Sequence, residues 1–558
     1  MTARLRRSQC AAMGLATALV AVGAASAGSV PTASADASRS SSRPHSPEAL
    51  LKSKWGNDTT NEGKRATAET GVWQADVDRG SMNWIEHHYG VQDVWTQFDP
   101  NGKRVTGQGV TVAVIDTGVA PVKGLTTPGK VVNGPDLSFD SQDAAVRYLD
   151  GYAHGTHMAG IIAGRDADVP IGKAGLPRYD DPAYFVGMAP DARILNVKVG
   201  TADGAVDVTQ VIAAIDWVVQ HRSDNGMNVR VINLSYGTRS TQSYRADPLA
   251  KAVENAWNRG IVVVAAAGND GNASPLTMPA VDPYVISVGS VDHRGTDKFT
   301  DDIVSPFSNG GTTARRPDLI APGKSVVSLR VPGSVADVEH PEGRLPGDLS
   351  GRFFRGSGTS QATAVVSGAV ALLLQARPTM TPDQVKRLLV LSADKLAVNS
   401  RPAMGAGVLD VDGAMSLSTP SRLFSAQAWV PATGLGTLQA SRGDVRIVDP
   451  ANGVELSGEV DALGTPWVAA TWALASTNAA AWSGGMWNGR DWTGNSWSAS
   501  SWSGDAWLGH SWSGSSWSGL DWQGHSWSDD TWSGHSWSDS GWVGHSWSDA
   551  LWGDGSTW

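Results

Sequence analysis

The sequence predicts an α/β fold built on a mainly parallel central sheet. Two observations carry that expectation. Short runs that are β-branched and apolar throughout recur along the chain, the pattern of strands buried on both faces. Stretches with helical periodicity lie between them, and alternating strands and helices build an open parallel sheet with helices on its faces.

The elements follow in order. Arg4, Arg6 and Arg7 precede AAMGLATALVAVGAASA (11–27), a run of small apolar residues ending in Ala25-Ser26-Ala27. That is the pattern of a secretory signal peptide within residues 1–35, cut after 27 or, at Ala33-Ser34-Ala35, after 35. The run is shorter than the roughly 20 strongly apolar residues of a span. The expectation is a secreted, extracellular protein whose mature chain has no membrane span. Residues 36–80 read as a polar N-terminal leader, Ser-rich at Ser38–Ser42 and poor in large apolar side chains.

Residues 81–417 have globular texture. The strand-like runs are VTVAVIDTG (110–118), ARILNVKVG (192–200), VRVINLSYG (229–237), IVVVAAAGN (261–269) and VISVGSV (285–291). TQVIAAIDWVVQHR (209–222) puts Val211, Ile212, Ile215, Val218 and Val219 on one helical face. PLAKAVENAWNRG (248–260) starts with proline after Asp247 and stops at glycine. GTSQATAVVSGAVALLLQARP (358–378) is apolar nearly all round, the mark of a buried helix. Thr381 followed by Pro382 opens another helix. Residues 418–480 read as a small β-type module or a linker. Residues 481–558 form a tail with tryptophan at 482, 487, 492 and every fifth residue to 552, in units close to W-S-G-x-S.

Bulk properties narrow the function. The one cysteine, Cys10, lies in the leader, which excludes disulfides, cysteine catalysis and thiolate metal sites from the mature chain. A net charge of −10 with no basic run excludes nucleic acid as a natural partner. At 558 residues the chain is too long for one core and implies two or more units.

Several residues invite chemistry. Asp116 ends a buried strand, where a carboxylate is costly unless paired; a turn-capping aspartate is the plain alternative. His154 and His157, in HGTHMAG, stand three apart, a spacing that also suits a metal. Zinc needs three or four ligands, and no carboxylate or cysteine follows at a fitting distance. A base needs one histidine held by a carboxylate, which Asp116 would supply. Ser360 opens the buried helix, where unpaired N–H groups suit a developing oxyanion; a serine there is otherwise a cap. Asn269 ends a strand and carries a side-chain N–H donor; Gly-Asn is otherwise a turn.

Taken together, VAVIDTGV, HGTHMAGIIAG, VINLSYG, VVAAAGNDG, FSNGG, LIAPG and GTSQATAVVSGAVALL resemble, in order, the signature blocks of the subtilisin-like (subtilase) serine peptidases, over about residues 85–417. The resemblance implies a subtilisin-like three-layer α/β fold and a serine endopeptidase that hydrolyses peptide bonds through an acyl-enzyme. It implies Ser360 as nucleophile, His154 as general base, Asp116 as the carboxylate orienting it, and Asn269 as oxyanion donor beside the Ser360 N–H. His157 becomes a helix residue beside the site. Ser235, Tyr236 and Gly237 match the segment that pairs with an extended substrate. Ala266, Ala267 and Gly268 match a pocket wall, and Thr277 falls near the pocket base.

The resemblance implies polypeptide substrates and no required cofactor, with structural calcium compatible with the family; the long loop 165–186, carrying Asp180-Asp181, either binds calcium or is a solvated loop. Gln361 and Ala364 depart from the family's methionine and proline, and residues 36–80 do not resemble its pro-domain. Three readings of the tail stand: a β-solenoid, a sticky strip contacting glycan or cell-wall polymer through indoles, and disorder. A surface- or polymer-binding role is favoured. Its histidines 510, 525, 535 and 545 read as polar filler or a metal site.

Overall fold

The computed structural model describes residues 71–493, except 143–145, 174, 397–402, 446 and 449–453. The expected signal peptide, most of the polar leader, the tail after Thr493 and its four histidines lie outside the described residues.

The central sheet runs β1 (Thr111–Asp116), β2 (Val131–Asp136), β3 (Arg193–Lys198), β4 (Val229–Leu234), β5 (Val262–Ala266), β6 (Ile286–Asp292), β7 (Ile303–Val304) and β8 (Leu319–Pro322). Its spatial order is β2-β3-β1-β4-β5-β6-β7, with β8 also paired to β6. All pairings are parallel except β6 with β7. Strands β1, β5 and β6 are buried along their whole length, as continuous apolar runs require.

Helices cover the sheet. α1 (His154–Ala163) packs against α5 (Thr359–Ala376). α5 also lies on β4, β5, β6 and β8, with Val365, Val366, Val370 and Leu372–Leu374 fully buried. Each such side chain stabilises the fold by roughly 1.5–3 kcal/mol. α5 is long and apolar enough to cross a membrane by composition, but here it is the core helix. α2 (Val208–His221) and α3 (Pro248–Asn258) pack on each other. Asp207 opens α2: its carboxylate accepts from the Thr209 N–H at 3.0 Å, while Gln210 reaches back to the Asp207 N–H at 2.6 Å. A separate hairpin pairs β9 (Val326–Leu329) with β10 (Phe353–Gly356), and between them residues 330–352 make an excursion containing the short helix α4 (Val335–Glu339). α6 (Pro382–Ser392) follows α5 and packs on β5.

The stretch 418–480 differs from the expectation. Its regular parts are helical, chiefly α7 (Leu438–Arg442) and α8 (Ala469–Thr477), with bridges of single residue pairs such as Val460–Pro466. α7 packs on α2 and α3, and α8 on α3. Arg442 forms a fully buried ion pair with Asp207, Nε to Oδ2 at 2.6 Å. The segment is therefore part of the peptidase body, because a buried charge pair and a shared apolar face tie it there.

The start of the tryptophan tail also continues that body. β11 (Trp482–Ser483), β12 (Met486–Trp487) and β13 (Arg490–Asp491) form an antiparallel meander. The strands start four residues apart, so the five-residue tryptophan spacing moves one place along each successive strand: Trp482 is first in β11, Trp487 is last in β12 and Trp492 follows β13; the turn Asn488-Gly489 has both residues at positive φ. Trp482, Trp487 and Trp492 are buried. The Trp482 indole donates to the Ala213 carbonyl at 2.8 Å, and those of Trp472 and Trp487 to Asp216 Oδ2 at 2.8 and 3.0 Å.

Candidate active site

Parallel strands place their carboxyl ends at one rim, and ligands gather there in open α/β sheets. Asp116 is the last residue of β1. Its Oδ1 accepts from the Thr117 N–H at 2.8 Å and meets His154 Nδ1 at 2.8 Å. Neither side chain is exposed. Burial raises the Asp116 pKa, while His154 and the Thr117 N–H oppose that rise.

His154 is the first residue of α1 and follows a turn that only close packing allows. Ala153 sits at φ 96°, ψ −10°. A Cβ at Gly155 would lie 2.2 Å from the Gly118 carbonyl oxygen and 3.2 Å from Asp116 Cβ, so the helix meets the strand end through a bare backbone. Asp150, four residues before His154, holds the turn. It accepts from the N–H groups of Ala153 and Thr156, both at 2.7 Å, and from Thr117 Oγ1 at 2.8 Å. Thr117 Oγ1 in turn accepts from the Gly155 N–H at 2.9 Å. Sequence reasoning missed Asp150 and Thr117; the signal available was two hydrogen-bonding residues flanking the Asp and His motifs.

His157 lies one turn along α1, buried, its Nε2 3.2 Å from the Phe354 carbonyl. Burial drives its pKa down to about 3, so it stays neutral. Among the described residues no group of three or more His, Cys, Asp or Glu could hold a metal. Asp181 is engaged by Arg178 at 3.3 Å and by the Ala183 N–H at 3.2 Å.

Ser360 is the second residue of α5, nearly out of water. Its carbonyl accepts from Ser235 Oγ at 3.3 Å, just beyond β4. Asn269 is bound to the same helix start: its Oδ1 accepts from the N–H and hydroxyl of Thr359 at 2.9 and 3.0 Å. The Gly268 N–H donates to Thr359 Oγ1 at 3.3 Å. Thr359 therefore locks the Asn269 loop to the residue before Ser360. Asn309, within the FSNGG motif, fixes that loop from behind by donating to the Pro275 carbonyl at 2.7 Å and accepting from the Asp270 N–H at 2.6 Å. Gln361 is buried with no partner for Oε1.

The residues matched to substrate binding also converge. Thr238 and Met278 exchange two backbone bonds, at 2.9 and 2.8 Å, bringing Gly237 beside Thr277. A Cβ at Gly237 would stand 2.3 Å from Thr277 Oγ1. Thr277 Oγ1 donates to the carbonyls of Ala266 and Ala267, both at 3.4 Å, and its methyl lies against Gly268. The Tyr236 side chain is buried, which leaves its backbone for any contact with a ligand.

A model of the subtilase family matches residues 107–407. The chain belongs to the subtilase family. The relatives it resembles include the serine protease AprX of Bacillus subtilis (strain 168), 34% identical over 322 residues, which are 56% of this chain and 68% of AprX. Subtilisin BL of Lederbergia lenta is 31% identical over 314 residues, 56% of this chain and 93% of that protein. A subtilisin of Bacillus pumilus is 32% identical over 314 residues, 55% and 92% respectively. As a subtilase, the chain is a subtilisin-like serine endopeptidase. The family match ends at residue 407, so the docked segment from 418 to 493 lies beyond it.

Proposed function

We propose that this subtilase is an exported endopeptidase that cuts polypeptides with Asp116, His154 and Ser360. The observation that carries the reading is the 2.8 Å contact between His154 Nδ1 and Asp116, sealed from water on a helix packed against the one Ser360 opens. In the proposed cycle His154 Nε2 takes the hydroxyl proton as Ser360 Oγ attacks the peptide carbonyl. Asp116 stabilises the imidazolium that forms. The proton passes to the leaving amine, an acyl-enzyme remains, and the same imidazole draws a proton from water to release it. Asn269 Nδ2 and the Ser360 N–H stabilise the oxyanion; Asn269 suits this because its oxygen is committed to Thr359.

The substrate lies extended along Ser235–Gly237, with the side chain before the cut between Ala266–Gly268 and Thr277. Thr277 fills the floor of that pocket, which favours a small side chain. The signal-like N-terminus supports export. The indoles beyond residue 493 support contact with a surface or polymer.

Labelling with a fluorophosphonate probe tests the core of the reading. Wild type labels, Ser360→Ala does not, and His154→Ala labels at least about a thousandfold more slowly. Folded wild type that fails to label would sink it and leave a binding protein. Asn269→Ala is expected to keep KM and lose about 100- to 1000-fold in kcat.

A further inference from the structure

The 330–352 excursion between β9 and β10 folds back onto the loop that precedes His154. The Val335 N–H donates to the Gly151 carbonyl at 3.0 Å, and the Ala336 N–H to the Tyr152 carbonyl at 3.2 Å. Ala153, the next residue, packs with Ala120, Val331, Ala336 and Phe354 in a small cluster of its own. The excursion is itself rigid. Asp337, 2% exposed, accepts from Arg344 Nε, from Arg330 Nη2 and from the Gly333 N–H, each at 2.9 Å, and from Arg330 Nε. Arg344 Nη2 also donates to the Asp337 carbonyl at 2.7 Å. Arg330 closes the neck of the excursion through the Gly351 carbonyl at 3.0 Å. A carboxylate gripped by two guanidinium groups has little freedom to move.

The turn 151–153 is thus held from two sides. Asp150, within the peptidase core, accepts from the Ala153 N–H of the turn and from the Thr156 N–H in the first turn of α1. The excursion grips the carbonyls of 151 and 152 from outside. A residue at φ 96° needs such support, since that backbone is disfavoured for any side chain with a Cβ. His154 is covalently the next residue.

We propose that the excursion is a positioning arm for the general base: Asp337, clamped by Arg330 and Arg344, sets α4 so that Val335 and Ala336 hold Gly151 and Tyr152, and through them the angle of the His154 imidazole. The proposal rests on the reading of His154 as base. Asp337, Val335 and Ala336 are positioning residues and touch no reacting atom. Small misplacements of a catalytic group cost large factors in rate.

Val335→Pro is the sharpest test. Val335 is the first residue of α4, where proline is tolerated, and Ser334 before it already has extended backbone, φ −67°, ψ 165°. The substitution removes one N–H and leaves the Asp337 clamp in place. With a chromogenic peptide and active-site titration on the full chain, kcat per titrated site is expected to fall about five- to twentyfold with KM within twofold. The low-field proton NMR signal of the His154 Nδ1–H should shift. Asp337→Asn should move kcat the same way, with its melting temperature measured alongside. Unchanged kcat per titrated site in Val335→Pro overturns the proposal, and so does a loss confined to the number of titratable sites. Full activity in His154→Ala would instead overturn the reading of the base.

Discussion

Ala153 shows how much one backbone angle can matter beside a catalytic group. Its φ of 96° costs a residue with a Cβ about 1 kcal/mol or more. Ala153→Gly is therefore expected to raise stability by about 1 kcal/mol in chemical denaturation, because glycine adopts that angle freely and the methyl lost is small. Thr277 makes the second prediction at this scale. Thr277→Gly should deepen the pocket floor and raise kcat/KM for phenylalanine relative to alanine before the cut by about tenfold. An unchanged ratio would place the specificity pocket elsewhere. Asp116, His154, Asn269 and Ser360 stand out in the sequence because each has a distinct motif around it; the structure sets Asp116 at a strand end, His154 and Ser360 at helix starts, and Asn269 in the loop after β5, which stops at Ala266. Asp150 and Thr117 were not. Their work is done by hydrogen bonds inside one buried turn, which leaves no periodic trace.

At the level of elements, the five interior strands were legible because burial on both faces leaves mostly apolar runs, in which polar residues such as Lys198, Arg230 and Asn233 stand singly. β2 was not, since Asn133, Gly134 and Pro135 interrupt it, as an edge strand permits. Helix starts were legible where caps repeat a known chemistry. Thr381 accepts from the Gln384 N–H at 3.3 Å and Gln384 returns a bond at 3.0 Å; Thr381→Ala should cost about 1 kcal/mol. α7 and α8 were missed because they are short and owe their helicity to packing. The docking of α8 and of the β11–β13 meander carries a pH signature. Burial raises the Asp216 pKa to about 6, against the bonds it accepts from Ser476, Trp472 and Trp487. The unfolded value is about 3.9, so the folded chain holds a proton that the unfolded chain has released. Stability from this group is full below about pH 4, declines as pH rises to about 6, and is flat above. Asp216→Asn should remove that slope, worth up to about 3 kcal/mol, in unfolding experiments between pH 4 and 7.

For the whole molecule, the fold class was legible because strand–helix alternation admits few architectures, whereas the end of the peptidase body was not. The change of texture near residue 418 suggested a boundary, yet Arg442, Trp472, Trp482 and Trp487 all bind α2 or its cap. A chain ending at 417 should melt well below one ending at 493, since it strips Asp207 of its guanidinium and uncovers the apolar faces of α2 and α3. Equal melting temperatures would refute that coupling. The same arrangement sets a clock. Asp207 is made more than 200 residues before the side chain that neutralises it. During synthesis the sheet can assemble, but the back of α2 stays wet until residues 442–487 follow, so the peptidase body closes long after its first strands are made.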